Sequence, residues 1–272
     1  MKRLGILMAL SAFALGCGDD SSASQEVELS FAAVVGEQPF VCGETYENLG
    51  TNDTPLVLSD FRFYVHDVQM KNAAGGWIPV ALDENKFQTG GVALLDFEDC
   101  AAMGNADLNG LVTGSLPAGE YDGLRFKMGV PFEVNHQNHS TAQSPLNITA
   151  LFWDWQGGYK FLRIDSGQLS ANDWRMHLGS TGCVGNPEAG GVTGCANGNR
   201  VEVEFDAFDA SANTVIADYA ALVEGAALDN DAAADFGCMS KPADTDCAPL
   251  FANLGLSFAG SEAGTQQFFS AE

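Results

Sequence analysis

Leu56-Val57-Leu58-Ser59-Asp60-Phe61-Arg62-Phe63-Tyr64-Val65-His66-Asp67-Val68-Gln69-Met70 is the stretch that decides the fold. Phe61, Phe63 and Val65 alternate with Arg62, Tyr64 and His66. A period of two, rich in aromatic and β-branched residues, makes an extended strand. Working outward, residues 27–35, 123–130, 150–165 and 200–208 carry the same pattern. Turn signals separate them: Ala73-Ala74-Gly75-Gly76, Gly90-Gly91, Gly157-Gly158 and Gly190-Gly191. With 31 glycines in all, the chain reads as mainly β, a single β-sandwich-like domain with irregular loops and short helices. Two stretches have helical character, residues 96–103 and 219–228, the second followed by Asp229, Asp231 and Asp235. No repeat of fixed period and no linker appear after residue 26, so residues 27–272 form one domain.

The N-terminus is an address. Lys2 and Arg3 precede an apolar run over residues 4–15, and Ala14-Leu15-Gly16-Cys17 follows. Charge, apolar stretch and small residue at the cut are the order of a signal peptide over residues 1–16. The run is shorter than the ~20 apolar residues that span a bilayer. A Cys directly after the small residue points to a bacterial lipoprotein, with the lipid on Cys17, although Ala14 stands where Leu is usual. Ordinary secretion with cleavage nearby is the alternative. Residues 17–26, polar and short, read as the tether.

The chain has 12 basic and 36 acidic residues, a net charge of −24. Loss of Lys2 and Arg3 with the signal peptide, and of no acid, takes −24 to −26. Such a surface repels nucleic acid and anionic lipid, so neither is an expected partner. It suits cationic partners, including metal ions. Beyond Cys17 there are six cysteines, an even number in an exported chain. Local spacing pairs Cys183 with Cys195 and Cys238 with Cys247, and elimination leaves Cys42 with Cys100. A cysteine metal cluster is the alternative, but the chain has no Cys-x-x-Cys or Cys-x-Cys.

Chemistry-bearing residues are few. His66 lies in the strand pattern quoted above; His136 and His139 lie in Asn135-His136-Gln137-Asn138-His139; His177 lies in Trp174-Arg175-Met176-His177-Leu178-Gly179. An isolated histidine is more often a hydrogen-bonded structural residue than a ligand. Imidazole with thioether suits copper, and Met70, Met128 and Met176 are the thioethers near these segments, each of a kind that usually fills core. On a strand Trp153 and Trp155 of Phe152-Trp153-Asp154-Trp155-Gln156 would share one face. Asn105-Ala106-Asp107-Leu108-Asn109-Gly110 imitates a calcium loop, but Leu116 stands where the loop's Glu belongs. No Gly-x-Ser-x-Gly, phosphate loop or His-Glu-x-x-His is present, so nothing points to a hydrolase.

Taken together, Phe63-Tyr64-Val65-His66-Asp67-Val68, Gly129-Val130-Pro131-Phe132 with Asn135-His136, Ser144-Pro145-Leu146-Asn147 and Phe152-Trp153-Asp154-Trp155-Gln156 running on to Ile164-Asp165 form a consistent series. His177-Leu178-Gly179-Ser180-Thr181-Gly182-Cys183 and Cys247-Ala248-Pro249-Leu250-Phe251 complete it. In these the chain resembles the MbnP-like proteins, also called metallo-mystery pair system four-Cys motif proteins. The resemblance implies a periplasmic or outer-membrane-anchored copper-binding protein, paired with a di-haem partner of the cytochrome c peroxidase/MauG type. It implies that the partner oxidises the first Trp of Trp-x-Trp to kynurenine, which then helps to hold copper; here that is Trp153. Trp155 is the expected relay for the electron hole. His66, His136 and His177 are the expected ligands besides Trp153, with His139, Met128 and Met176 behind them. Leu151 stands where related sequences often place Met.

The reading is therefore an exported copper protein acting in copper homeostasis, the substrate of a partner oxidase and not itself an enzyme. The rival is an extracytoplasmic module that binds glycan or protein through Trp153, Trp155 and neighbouring aromatics. A relic of the family that has lost its metal is a third reading, opposed by the intact Trp153-Asp154-Trp155.

Overall fold

A computed structural model describes residues 23–100, 107–166, 173–186, 191–229 and 237–272. The expected signal peptide and Cys17 lie outside the described residues, as do Asp231 and Asp235.

Two sheets pack face to face. The first runs Phe269–Ala271, Thr214–Asp218, Ser24–Val35, Leu111–Pro117 and Ala81–Leu82. The second runs Val201–Phe205, Tyr121–Met128, Thr54–Asn72, Leu162–Ser166, Arg175–Leu178 and Gly237–Cys238, with Val92–Asp96 also paired to Thr54–Asn72. Phe31 and Phe269 of the first sheet meet Phe63 and Phe126 of the second with ring centroids 5.3–6.3 Å apart. Edge-on aromatic packing of this kind fills the space between two sheets well. The β-sandwich-like expectation holds.

The long strand Thr54–Asn72 departs from the usual sandwich pattern, in which one face is wet. Its residues are buried without a break from Leu58 to His66. Phe61 and Phe63 face the sandwich core, while Arg62, Tyr64 and His66 alternate with them and are buried as well, Tyr64 under the chain that crosses residues 130–161. Tyr64 there donates its hydroxyl to the carbonyl of Pro145 at 3.0 Å, and Tyr159 donates to Leu146 at 2.6 Å. The segments that carry the site therefore form a cover over the second sheet.

Three local expectations are revised. The first strand begins at Ser24, inside the expected tether, because Ser24, Gln25 and Glu26 pair with Pro117, Leu116 and Ser115. Polar side chains cost such a strand little when they stay largely exposed and the ladder satisfies the backbone. Residues 150–165 are not one strand. The chain makes a short 3-10 turn at Thr149–Leu151, a hairpin of Phe152–Asp154 with Gly158–Tyr159, and then the strand Leu162–Ser166. The cause is Asp154, whose Oδ1 accepts the amides of Gln156 and Gly157 at 2.8 and 2.6 Å and curls the chain back. Gly158 then takes φ +79°, and a Cβ there would meet the carbonyl of Asn135 at 2.4 Å. The expected helices shrink as well. Tyr219–Leu222 is a single turn capped by Asp218, and Asp96 closes the strand Val92–Asp96 with no helix over residues 96–100.

All three expected disulfides are formed: Cys42–Cys100, Cys183–Cys195 and Cys238–Cys247. The last is fully buried and ties Gly237–Cys238 to the helix Cys247–Asn253. Among the described residues no helix is long and apolar enough to cross a membrane. Three disulfides fit an oxidising compartment outside the cytoplasm.

Candidate functional site

The outer face of the second sheet carries charges that the cover removes from water. Asp60, Arg62, Glu98, Asp165 and His177 are each at most 6% exposed. Buried charges persist only when paired and hydrogen-bonded. Arg62 pairs with Asp60 and lies 3.6 Å from Glu98; Arg163 joins Asp60 at 3.1 Å to Asp165 at 2.6 Å. His177 closes the chain, with Nε2 2.6 Å from Asp165 Oδ1. Burial would raise the Asp165 carboxyl, but the bond from His177 and the charge of Arg163 outweigh it and hold Asp165 well below the carboxylate range. Burial pushes the His177 imidazole down, so a neutral His177 donates to an ionised Asp165. His177 is thus committed to a structural network.

His66 is buried too, and its Nδ1 donates to the carbonyl of Gly129 at 2.9 Å. Burial pushes its pKa down to about 4. Met128 and Met176 have no exposed surface and fill core, and Met70 is 2% exposed. Leu151, in the position where a related thioether is common, is also core. His139 stacks on Phe152, ring centroids 4.3 Å apart.

The hairpin of Phe152–Asp154 and Gly158–Tyr159 sits above this face. Asn135 clips it down: wholly buried, it accepts the amide of Tyr159 at 2.9 Å through Oδ1. Trp153 leaves the strand on one side, and its ring lies over Gly179, where a Cβ would be 2.4 Å from Trp153 Cζ3. Only glycine gives the indole this seat. Trp155 does not share that face. It belongs to the turn, its indole is 42% exposed, and it meets the edge of Phe152, which points away from Trp153. The same-face expectation fails because the Asp154 turn ends the strand before Trp155.

Trp153 forms one wall of a cavity of about 580 Å³, with Gly157, Cys183, Met239 and Lys241 among its other walls. Met239 is the thioether that sequence reasoning missed. Its position is set at long range: Gly237–Cys238 pairs in parallel with Arg175 and Met176, and Ser240 Oγ donates to the His177 carbonyl at 2.8 Å. The only local signal was its place beside Cys238.

His136 stands beside the same hairpin. Its Nδ1 donates to the carbonyl of Trp155 at 3.3 Å, and its Nε2 accepts from the Asn135 amide at 3.1 Å. Burial lowers its pKa, favouring the neutral ring. Nε2 lies 3.4 Å from Sγ of Cys195, whose disulfide partner Cys183 lines the Trp153 cavity. Among the described residues, His136, Cys183 and Cys195 are the one group of three or more His, Cys, Asp or Glu side chains spaced for a metal, with ligand atoms within 4.8 Å of one another. His66 and His177 are not brought into it.

Replacing Asn135 with alanine is expected to destabilise the fold by about 1–3 kcal/mol, since a buried amide N–H loses its acceptor. Urea unfolding followed by tryptophan fluorescence measures this.

No curated protein matches the chain. The MbnP family profile matches residues 24–240. Among solved structures, MbnP from Methylosinus trichosporium is 32% identical and superimposes with a TM-score of 0.80, covering 92% of this chain and 98% of that one. By the extent of both matches, this chain belongs to the MbnP family.

Proposed function

We propose that the protein is an exported copper-binding protein whose Trp153 is oxidised to kynurenine by a di-haem partner of the cytochrome c peroxidase/MauG type, and that it acts in copper homeostasis. The observation that carries this reading is that Trp153 and Met239 line one cavity, with His136 beside the cavity residue Cys183 and its disulfide partner. Intact indole is a poor ligand, because its nitrogen lone pair belongs to the ring. Opening the five-membered ring exposes an aniline nitrogen and a ketone oxygen. With a soft thioether and an imidazole, that donor set fits copper. Bound copper would supply the cargo or redox function; Gly179 seats the ring that becomes the ligand, and the Asn135 clip holds the hairpin that carries it.

His136 ranks ahead of His66 and His177 because it stands beside the Trp153 hairpin, with Nε2 3.4 Å from Cys195, the disulfide partner of the cavity residue Cys183, while the others lie in hydrogen bonds to Gly129 and Asp165. Trp155, exposed on the adjoining turn, is the proposed point at which the electron leaves toward the partner. The chain is substrate and holder, not an enzyme. A lipid on Cys17 would keep it in the compartment of its partner.

Intact-mass measurement after co-production with the di-haem partner tests the reading. Conversion adds roughly 4 Da, located to Trp153 by peptide mapping and absent in Trp153→Phe. Cu(I) titration of the converted protein should weaken by about tenfold or more in Met239→Leu and His136→Ala. An unchanged mass together with no tight copper binding would instead support a recognition module built on the exposed Trp155.

A further inference from the structure

The grouping of His136 with Cys183 and Cys195 has a use that does not involve Trp153. We infer that opening the Cys183–Cys195 disulfide converts these three residues into an alternative metal site, a dithiolate–imidazole site for a soft cation such as Cu(I) or Cd(II). It is exclusive of the proposed Trp153 site, because both use His136 Nε2.

Three observations carry it. The ligand atoms already lie within 4.8 Å of one another, and Nε2 of His136 is 3.4 Å from the Cys195 sulfur. Metal–sulfur bonds of about 2.3 Å and metal–nitrogen bonds of about 2.0 Å place such ligand atoms roughly 3.5–4 Å apart. Once the sulfur–sulfur bond is gone, the two sulfurs need only separate to that range. Next, the imidazole is oriented as a ligand. Its Nδ1–H is held by the Trp155 carbonyl, which leaves the Nε2 lone pair toward the sulfurs. Metal-bound histidines are commonly fixed by just such a bond to a carbonyl on the far nitrogen. Nε2 at present accepts from the Asn135 amide, and the metal would replace that donor. Finally, the disulfide is reachable from one side: it bridges two paired strands, Thr181–Asn186 and Gly191–Asn197, in which Cys195 is partly exposed although Cys183 is 8% exposed. Cys238 and Cys247, by contrast, have no exposed surface.

The chemistry balances. A two-electron reductant, a dithiol in the cell or a phosphine in a test, breaks the sulfur–sulfur bond, and each sulfur takes up one electron and one proton. The dithiol closes its own disulfide; the phosphine takes oxygen from water. The cation then displaces one proton from each thiol. Thiolate and imidazole together select soft and borderline cations over calcium or magnesium.

The test is Cd(II) titration of the full mature chain, oxidised and after phosphine reduction, read by ultraviolet thiolate-to-cadmium charge transfer. The reduced protein is expected to take up one Cd(II) with that absorption, and the oxidised protein none. Cys183→Ser with Cys195→Ser should abolish the band while keeping the other two disulfides as an internal control for their thiols. His136→Gln should weaken affinity by about tenfold or more, with His136→Asn as a second variant if the first misfolds by circular dichroism. Trp153→Phe should bind Cd(II) as the parent does, so the fate of this site and of the kynurenine reading are read separately. A band that survives in the double serine variant, appears in the oxidised protein or is missing from the reduced parent would overturn the inference. So would unchanged affinity in folded His136 variants.

Discussion

Replacing Asp165 with alanine is expected to lower the free energy of unfolding by about 3–5 kcal/mol. The size follows from what the carboxylate holds. It accepts from His177 at 2.6 Å and from the Arg163 guanidinium at 2.6 Å, and Arg163 is in turn 3.1 Å from Asp60. Asp60, Asp165 and His177 are each at most 6% exposed, and the Arg163 side chain 14%. Removing one partner leaves a largely buried guanidinium short of counter-charge and leaves the His177 N–H without an acceptor. Asp165→Asn keeps the shape and an acceptor oxygen, so its loss should be smaller, with Arg163 still paired to Asp60. Urea unfolding of both variants checks this. A loss below about 1 kcal/mol for the alanine variant, the range of exposed pairs, would mean that the network is solvated after all.

Acidification should weaken the fold in two separate windows, and His66 governs the first. Its imidazole is neutral in the folded protein, with burial pushing the pKa down to about 4, while the unfolded chain takes it up near the ordinary ~6.5. Between these values the unfolded state binds the proton and the folded state does not. Stability from His66 is therefore fully present above about pH 6.5 and falls as pH drops toward 4, by on the order of 3 kcal/mol in all. Burial lowers His136 and His177 as well, and both add loss of the same sign. Asp165 acts in the second window. Its carboxyl is depressed in the fold, so its contribution is present above the unfolded carboxylate value and disappears only below about pH 4. Unfolding midpoints at pH 7 and pH 4.5 should differ less in His66→Gln than in the parent, because glutamine can still donate to Gly129 but does not titrate. Equal pH dependence in the two proteins would remove His66 from this role.

The fold was legible where a short stretch of chain could decide it. Phe61, Phe63 and Val65 alternate with polar residues, and a strand needs no more than that local pattern. Residues 150–165 show the limit of the same rule. Their composition is that of a strand, but one carboxylate, Asp154, captures two amides and turns the chain, and so separates Trp153 from Trp155. The alternation around Arg62 also gave no sign that both faces would be buried. That depends on the cover, which packs on the sheet from much later in the chain.

The candidate site divides in the same way. Trp153 was marked by its motif and the resemblance it supports. Met239 was not, and Asn135 and Gly179 lay inside matching segments with no role attached, since a thioether, an amide and a glycine acquire meaning only from what lies against them. The ranking of the histidines was equally closed to the sequence, where four imidazoles look alike. In the fold one is tied to Asp165, one to Gly129 and one stacked on Phe152, while His136 presents Nε2 toward the sulfurs.

By itself, then, the sequence determined the β class, the strand at residues 56–70 and the near-neighbour disulfides. These rest on backbone preference, short loop closure and segment composition, which act over a few residues. The tertiary structure alone decided which charges are buried, which histidine stands beside the Cys183–Cys195 disulfide and which methionine lines the cavity with Trp153. Those outcomes depend on burial and on contacts between distant segments, such as Gly237–Cys238 laid beside Arg175–Leu178, and no local pattern encodes them.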